Sequence, residues 1–168
     1  MTLYTVGYEG CDIEQFLAGL KEHEVTCVID IRKNPVSRKK GFSKSRLKEN
    51  LEAQKIEYVH IGALGVPSAW RKKQKAKLIS RAKMFADYVE EIIPEQKNEL
   101  TNILQIAGKT KKAALLCYEA DACDCHRHFV TEEIKKMKRV KIIDLNVLPE
   151  EANLGMFGKP LKKNKKAA

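Results

Sequence analysis

Five short apolar, β-branched runs recur along the chain: Leu3–Val6, Thr26–Ile31, Tyr58–Ile61, Ala113–Cys117 and Lys141–Leu145. Each is nearly continuous in hydrophobic residues rather than alternating, the pattern of strands covered on both faces of a sheet. The segments between them follow a helical repeat. Asp12 is placed to cap a helix over Ile13–His23, where Ile13, Phe16, Leu17 and Leu20 share one face. Ser43 is placed to cap Lys44–Gln54, with Leu47 and Leu51 inward. Lys75–Ile93 reads as one longer helix with Leu78, Ile79, Phe85, Val89 and Ile92 as core candidates. Pro94 suits the first turn of a further helix to Ala107, and Asp124 is positioned to cap a last helix over Cys125–Met137.

This alternation predicts an α/β fold of three layers: a mainly parallel, five-stranded sheet with helices on both faces and right-handed crossovers. Periodicity leaves the strand order open. With 168 residues the chain suits a single α/β domain, set at 1–157, followed by a basic tail over 158–168 that is expected to be disordered. No apolar stretch reaches the length of a membrane span, and "MTLYTVGYEGCD" has no signal-peptide pattern. A cytoplasmic protein with no membrane partner is the expectation. There the five cysteines, an odd number, are expected to be reduced rather than joined in a disulfide framework.

The net charge of +10 is unevenly spread. Arg32–Lys48 holds eight Lys or Arg and no acid, Arg71–Lys83 holds seven and no acid, and the tail from Gly158 holds five lysines. The remainder of the chain is therefore acidic, and the positive charge is local. Such patches suit an anionic partner, nucleic acid foremost, although for the tail a disordered solubilising segment is the preferred reading.

In an open parallel sheet, ligands bind beyond the carboxyl ends of the strands. The residues there are Gly7-Tyr8-Glu9, Asp30 with Arg32, His60 with Gly62, Leu64 and Gly65, and finally Tyr118, Glu119 and the cysteine-rich loop. Four segments, "YTVGYEG", "VIDIRKNPVSRKKGFSK", "IEYVHIGALGV" and "LLCYEADACDCHR", resemble a family of small, mostly microbial proteins known as domain of unknown function 488. The resemblance covers nearly everything but the basic tail. It implies signature positions at Gly7, Asp30, Arg32, Pro35, Phe42, Gly65, Cys117, Glu119, Cys125, His126 and Arg127, and it implies no reaction. Two features depart from the pattern: "GYEG" stands where a Gly-His-Ser type of opening is usual, and Cys123 adds a thiol.

"CDCHRH" offers zinc-type donors, but in a crowded spacing, and on a helix His126 and His128 point about 200° apart. Haem attachment needs Cys-x-x-Cys-His, which is absent. No metal and no cofactor are therefore expected. A helix capped by Asp124 puts Cys125 in the first turn, where free N–H groups, His126 and Arg127 favour a thiolate or hold a substrate phosphate. His126 shares a face with Val130, Ile134 and Met137 and should turn toward the sheet, while Cys117, inside an apolar strand, reads as a packing residue. The phosphatase signature Cys-x5-Arg is missing.

The catalytic candidates are thus Cys125, His126, Glu119 and Asp30; the substrate- or anion-binding candidates are Arg32, Arg127, Gly7, Gly65, Phe42, Trp70 and Lys72. Phe42 and Trp70 lie among basic residues, as base-stacking aromatics do, with a core anchor as the other reading of Trp70. Asp30 and Arg32 also read as a buried ion pair. Three functions remain open: an enzyme acting on nucleic acid or a nucleotide-like phosphate, a non-catalytic nucleic-acid-binding module, and a rhodanese-like sulfur-transfer enzyme. The first fits the Cys/Glu/His/Arg mixture best.

Overall fold

The computed structural model describes residues 1–148; segment 149–157 and the basic tail from Gly158 lie outside the described residues. Five strands, β1 (Thr2–Gly7), β2 (Cys27–Asp30), β3 (Glu57–His60), β4 (Ala113–Cys117) and β5 (Lys141–Leu145), form one parallel sheet in the order β3-β2-β4-β1-β5. The expected three-layer α/β class is the observed one.

The alternation of side chains divides the interior into two cores. Leu3, Cys27, Ile29, Ala113 and Leu115 point to one face of the sheet. That face is covered by α4 (Arg81–Asp87), α5 (Lys97–Lys109) and α6 (His126–Met137), through Met84, Leu100, Ile103, Val130 and Ile134. Val6, Val28, Ala114 and Leu116 point to the other face, where α1 (Ile13–Glu22) and α2 (Lys44–Ala53) supply Phe16, Leu20, Leu47 and Leu51. β4 is buried along its whole length. Both its neighbours, β1 and β2, lead into helices of the opposite layer, so the chain reverses its winding on either side of β4 and opens a crevice beyond that strand.

Asp12 caps α1 as expected, in a reciprocal pairing: its side chain accepts from the N–H of Gln15, and its own N–H donates to the Gln15 side chain. Ser43 precedes α2 but makes no side-chain cap. The expected continuous helix over Lys75–Ile93 is broken. A separate helix, α3 (Ser68–Lys75), ends before Lys77, which adopts φ of 58°; Ser80 then caps α4 by accepting from the Lys83 N–H. Beyond α4 the chain widens into a π turn over Tyr88–Ile92 and tightens into a 3₁₀ turn over Ile93–Gln96. Pro94 explains the irregularity, since it has no N–H for an α-helical bond and its ring crowds the preceding turn. The core phase shifts as a result: Met84, Tyr88 and Ile93 are buried, whereas Leu78 and Val89, expected inside, are exposed. Ile79, Phe85 and Ile92 pack partly against the core.

The end of β1 meets the segment after β4 backbone to backbone. The N–H groups of Tyr8 and Glu9 both donate to the Tyr118 carbonyl, and a Cβ on Gly7 would lie 1.8 Å from the Glu119 carbonyl oxygen. Gly7→Ala is therefore expected to destabilise the protein by about 3 kcal/mol or more, because the obstacle is main chain and cannot rotate away. Gly108→Ala, in α5, meets only the flexible tip of Met1 at 3.4 Å and should stabilise by about 0.5–1 kcal/mol. Urea unfolding of the two variants beside the parent checks both signs.

Candidate functional site

The strand ends β1, β2 and β4 open into a cleft of about 440 Å³. Tyr8 follows β1, Arg32 follows β2, and Cys117 to Glu119 leave β4; His126 enters from the start of α6. Lys33, Arg38, Arg71, Lys75 and Arg81 complete a cationic lining in which Glu119 is the single carboxylate among the described residues.

Arg32 is 5% exposed and holds the β2 end together. Its Nε and Nη2 donate to the two oxygens of Asp30 at 2.8 and 2.6 Å, a paired fork-to-carboxylate contact, and its Nη1 donates to the Tyr8 hydroxyl and the Phe42 carbonyl at 2.8 and 3.0 Å. The Tyr58 hydroxyl donates to Asp30 at 2.8 Å. Burial and the negative Asp30 push the Tyr58 phenol well above its ordinary value, so it stays a donor. Asp30 is fully buried behind Arg32. Named a catalytic candidate from sequence, it is engaged by Arg32 and by Tyr58 on β3 and stands outside the cleft lining.

The reactive cluster lies beside this pair. His126 is 6% exposed, and its Nε2 sits 3.1 Å from the Ile31 carbonyl, which makes Nε2 the protonated nitrogen and leaves Nδ1 facing two sulfurs. Those are Cys117 Sγ at 3.6 Å and Cys125 Sγ at 3.7 Å. Cys117 Sγ is also 3.1 Å from Glu119 Oε2. Glu119 Oε1 pairs with Arg81 at 3.6 Å, and Arg81 also binds the side chain and carbonyl of Asp124. Burial disfavours a charged Cys125, yet hydrogen bonding from Cys117 and the neighbouring His126 and Arg127 hold its thiol well below the ordinary value. Cys117 is driven the opposite way by its hydrogen bond to Cys125 and by burial. The Glu119 carboxyl is raised by burial and by Cys125. In His126, burial opposes the charge, but Cys125 and the Ile31 carbonyl raise the ring above its usual value. Three donor groups, Cys117, Cys125 and His126, lie within 4.8 Å of one another and form the grouping able to hold a metal ion.

Several sequence expectations move. Cys125, not Asp124, is the N-cap of α6: it is extended, and its Sγ accepts from the Arg127 N–H at 3.5 Å. It is fully buried and lies behind the cleft, whose thiol is Cys117. Arg127 is 1% exposed and outside the cleft lining, and its Nη2 braces the loop by donating to the Glu119 carbonyl at 2.5 Å. Phe42 is fully buried and stacked on Tyr8 with centroids 4.2 Å apart, leaving no face for a base. Trp70 packs against the core, and Lys72 is exposed outside the cleft lining. Gly7 and Gly65 permit close approach of main chain; a Cβ on Gly65 would lie 2.0 Å from the Lys33 nitrogen. Sequence reasoning missed Cys117 as a cleft residue and did not single out Arg81 within its basic segment, whereas Tyr118 lies at the strand edge as expected. Period-2 alternation carried the signal for Cys117, because it places that side chain with Ala113 and Leu115 under α6.

Neither the curated proteins nor the solved structures compared with this chain include a match. A family profile does match, over residues 12–134, which takes in β2, the cationic loops, β4 and the start of α6. With most of its length and its whole reactive cluster inside that match, the chain belongs to the family described as domain of unknown function DUF488.

Proposed function

We propose that the cleft binds a phosphate-bearing anion, nucleic acid or nucleotide-like, and acts on it with Cys117, Glu119 and His126. The observation that carries this reading is the lining itself: Arg32, Lys33, Arg38, Arg71, Lys75 and Arg81 around one concave site with a thiol, a carboxylate and an imidazole at its floor. Low-dielectric walls concentrate the field of clustered cations on an entering anion. The volume of about 440 Å³ lies within the range of small-molecule sites. Tyr118, 46% exposed at the rim, offers the stacking face that Phe42 and Trp70 do not.

A purely binding surface requires only cations and aromatic faces, so the buried thiol and imidazole and the part-buried carboxylate favour an enzyme over a binding module. A rhodanese-like sulfur carrier fits less well, because Glu119 Oε2 stands 3.1 Å from Cys117 Sγ and opposes a second negative charge there. The five unbridged cysteines are in keeping with a reducing, cytoplasmic setting.

Binding is tested by fluorescence anisotropy with a short labelled single-stranded oligonucleotide, with ATP as competitor. Affinity should fall steeply between about 50 and 200 mM salt. Arg38→Ala and Arg71→Ala should each reduce the log–log salt slope by about one, whereas Lys136→Ala, in the last turn of α6, should leave it unchanged. Affinity that is flat in salt removes the anion reading.

The chemical half is tested by alkylation of EDTA-treated protein with iodoacetamide, followed by peptide mass spectrometry. Cys123, exposed on the loop, should label first and irrespective of ligand. Cys117 should label slowly, and saturating ATP or oligonucleotide should slow it further by at least about tenfold, because the bound anion covers the floor of the cleft. Equal Cys117 labelling with and without a ligand that demonstrably binds would place the anion elsewhere.

A further inference from the structure

We propose that Cys117, Cys125 and His126, with Glu119 beside them, form a binding site for a zinc-class divalent ion. Four observations bear on it, and none depends on the anion reading.

The first is the spacing of the donors. Zinc–sulfur bonds of about 2.3 Å and zinc–nitrogen bonds of about 2.0–2.1 Å at tetrahedral angles put sulfur and nitrogen about 3.6 Å apart. His126 Nδ1 stands 3.6 Å from Cys117 Sγ and 3.7 Å from Cys125 Sγ. The second is the number of lone pairs. With Nε2–H donating to the Ile31 carbonyl, Nδ1 has one lone pair, yet two sulfurs converge on it. A cation between the three atoms takes a lone pair from each of the two sulfurs and from the ring nitrogen.

The third is the surrounding shell. A metal-bound histidine typically donates its other N–H to a carbonyl, as His126 does to Ile31, and Glu119, 3.1 Å from Cys117 Sγ, is itself held by Arg81 at 3.6 Å. Tyr88, edge-on to His126 with centroids 5.8 Å apart and bonded to the Leu64 carbonyl, fixes the ring plane. The fourth is charge. A divalent ion with two thiolates and one carboxylate carries −1 overall, and it would lie beside Arg127. That guanidinium is 1% exposed, and its Nε and Nη1 have no hydrogen-bond partner among the described residues. Ion entry releases to solvent the protons held by Cys117 and by the Cys125–His126 pair and involves no change of oxidation state.

The crowded "CDCHRH" spacing and the divergence of His126 and His128 on a helix argue against a metal held by that loop alone. The structure brings Cys117 from the end of β4 and drops Cys123 and His128 from the set.

Co2+ serves as the probe. The metal-stripped full chain is titrated with Co2+ and followed by thiolate-to-metal charge-transfer absorption, with Zn2+ added in competition. Saturation at one ion per chain with charge-transfer and tetrahedral d–d bands, retained in Cys123→Ser and displaced by Zn2+, supports the site. Cys117→Ser and Cys125→Ser should each lose most of the charge-transfer intensity. Glu119→Gln should keep it while weakening binding by at least about tenfold, since even outer-shell losses cost that much. If a core cysteine variant fails to fold by circular dichroism, the parent and Cys123→Ser, which leave the core untouched, still decide. Absence of charge transfer in the parent, or its loss in Cys123→Ser, overturns the proposal. The oligonucleotide experiment can fail while the Co2+ spectrum stands, and the reverse, so the two readings fail separately.

Discussion

The arrangement rests on a buried ion pair. Asp30 and Arg32 are two residues apart on the same side of the β2 end, and together they spend every strong contact they have on neighbouring elements: Tyr8 after β1, Tyr58 on β3 and Phe42 before α2. Breaking such a pair costs roughly 3–5 kcal/mol, because the surviving charge is left buried and alone. Here the cost extends beyond stability. The carbonyls of Ile31 and Arg32 accept from His126 and His60 respectively, so the same three residues set the position of two histidines on different elements. A looser β2 end would release the imidazole that organises both thiols.

The cationic lining follows from topology as much as from composition. The two acid-free basic segments are those that follow β2 and β3, and in a parallel sheet both emerge at the carboxyl edge. Arg38 and Arg71 reach the cleft from these separate segments, and Arg81 arrives through the break that Lys77 and Ser80 introduce before α4. Had Lys75–Ile93 remained one straight helix, Arg81 would lie mid-helix instead of at a first turn, where it pairs with both Glu119 and Asp124. The irregular stretch is therefore part of the site's construction.

Strands and most helices were legible because their signal is local. Ala113–Cys117 and Lys141–Leu145 match the observed strands residue for residue, and the Asp12 cap with Gln15 three residues on is a local pattern as well. The failures are of another kind. Leu78 and Val89 satisfied a helical period, but Pro94 and a left-handed Lys77 changed the phase, and the resulting preference for Met84 and Tyr88 inside is a tertiary outcome. Phe42 looked like a base-stacking residue because it stands among lysines, yet the stacked Tyr8 ring and the Arg32–carbonyl bond draw it into the core. Cys117 reads as a packing residue from sequence because an apolar strand surrounds it. Only the loop connecting β4 to α6 decides that a sulfur at that strand's last position meets a helix start.

The two halves of the site belong to opposite layers of the molecule. Asp30 and Arg32 share their parity with Val28 and so lie with Tyr8 and Phe42 on the α1–α2 side, whereas Cys117 shares parity with Leu115 and lies on the α4–α6 side. Within the sheet those faces never meet; beyond the end of β4, where the winding reverses, they do. The cleft is thus the place where the Asp30–Arg32 layer and the Cys117–His126 layer come together. The hydrogen bond from His126 to Ile31 is the link between them, passing from the start of α6 to the residue between Asp30 and Arg32. Burial completes the division of labour: Cys125, sealed behind the cap of α6, tunes the cluster, and Cys117, 5% exposed at the cleft floor, is the sulfur a ligand can touch.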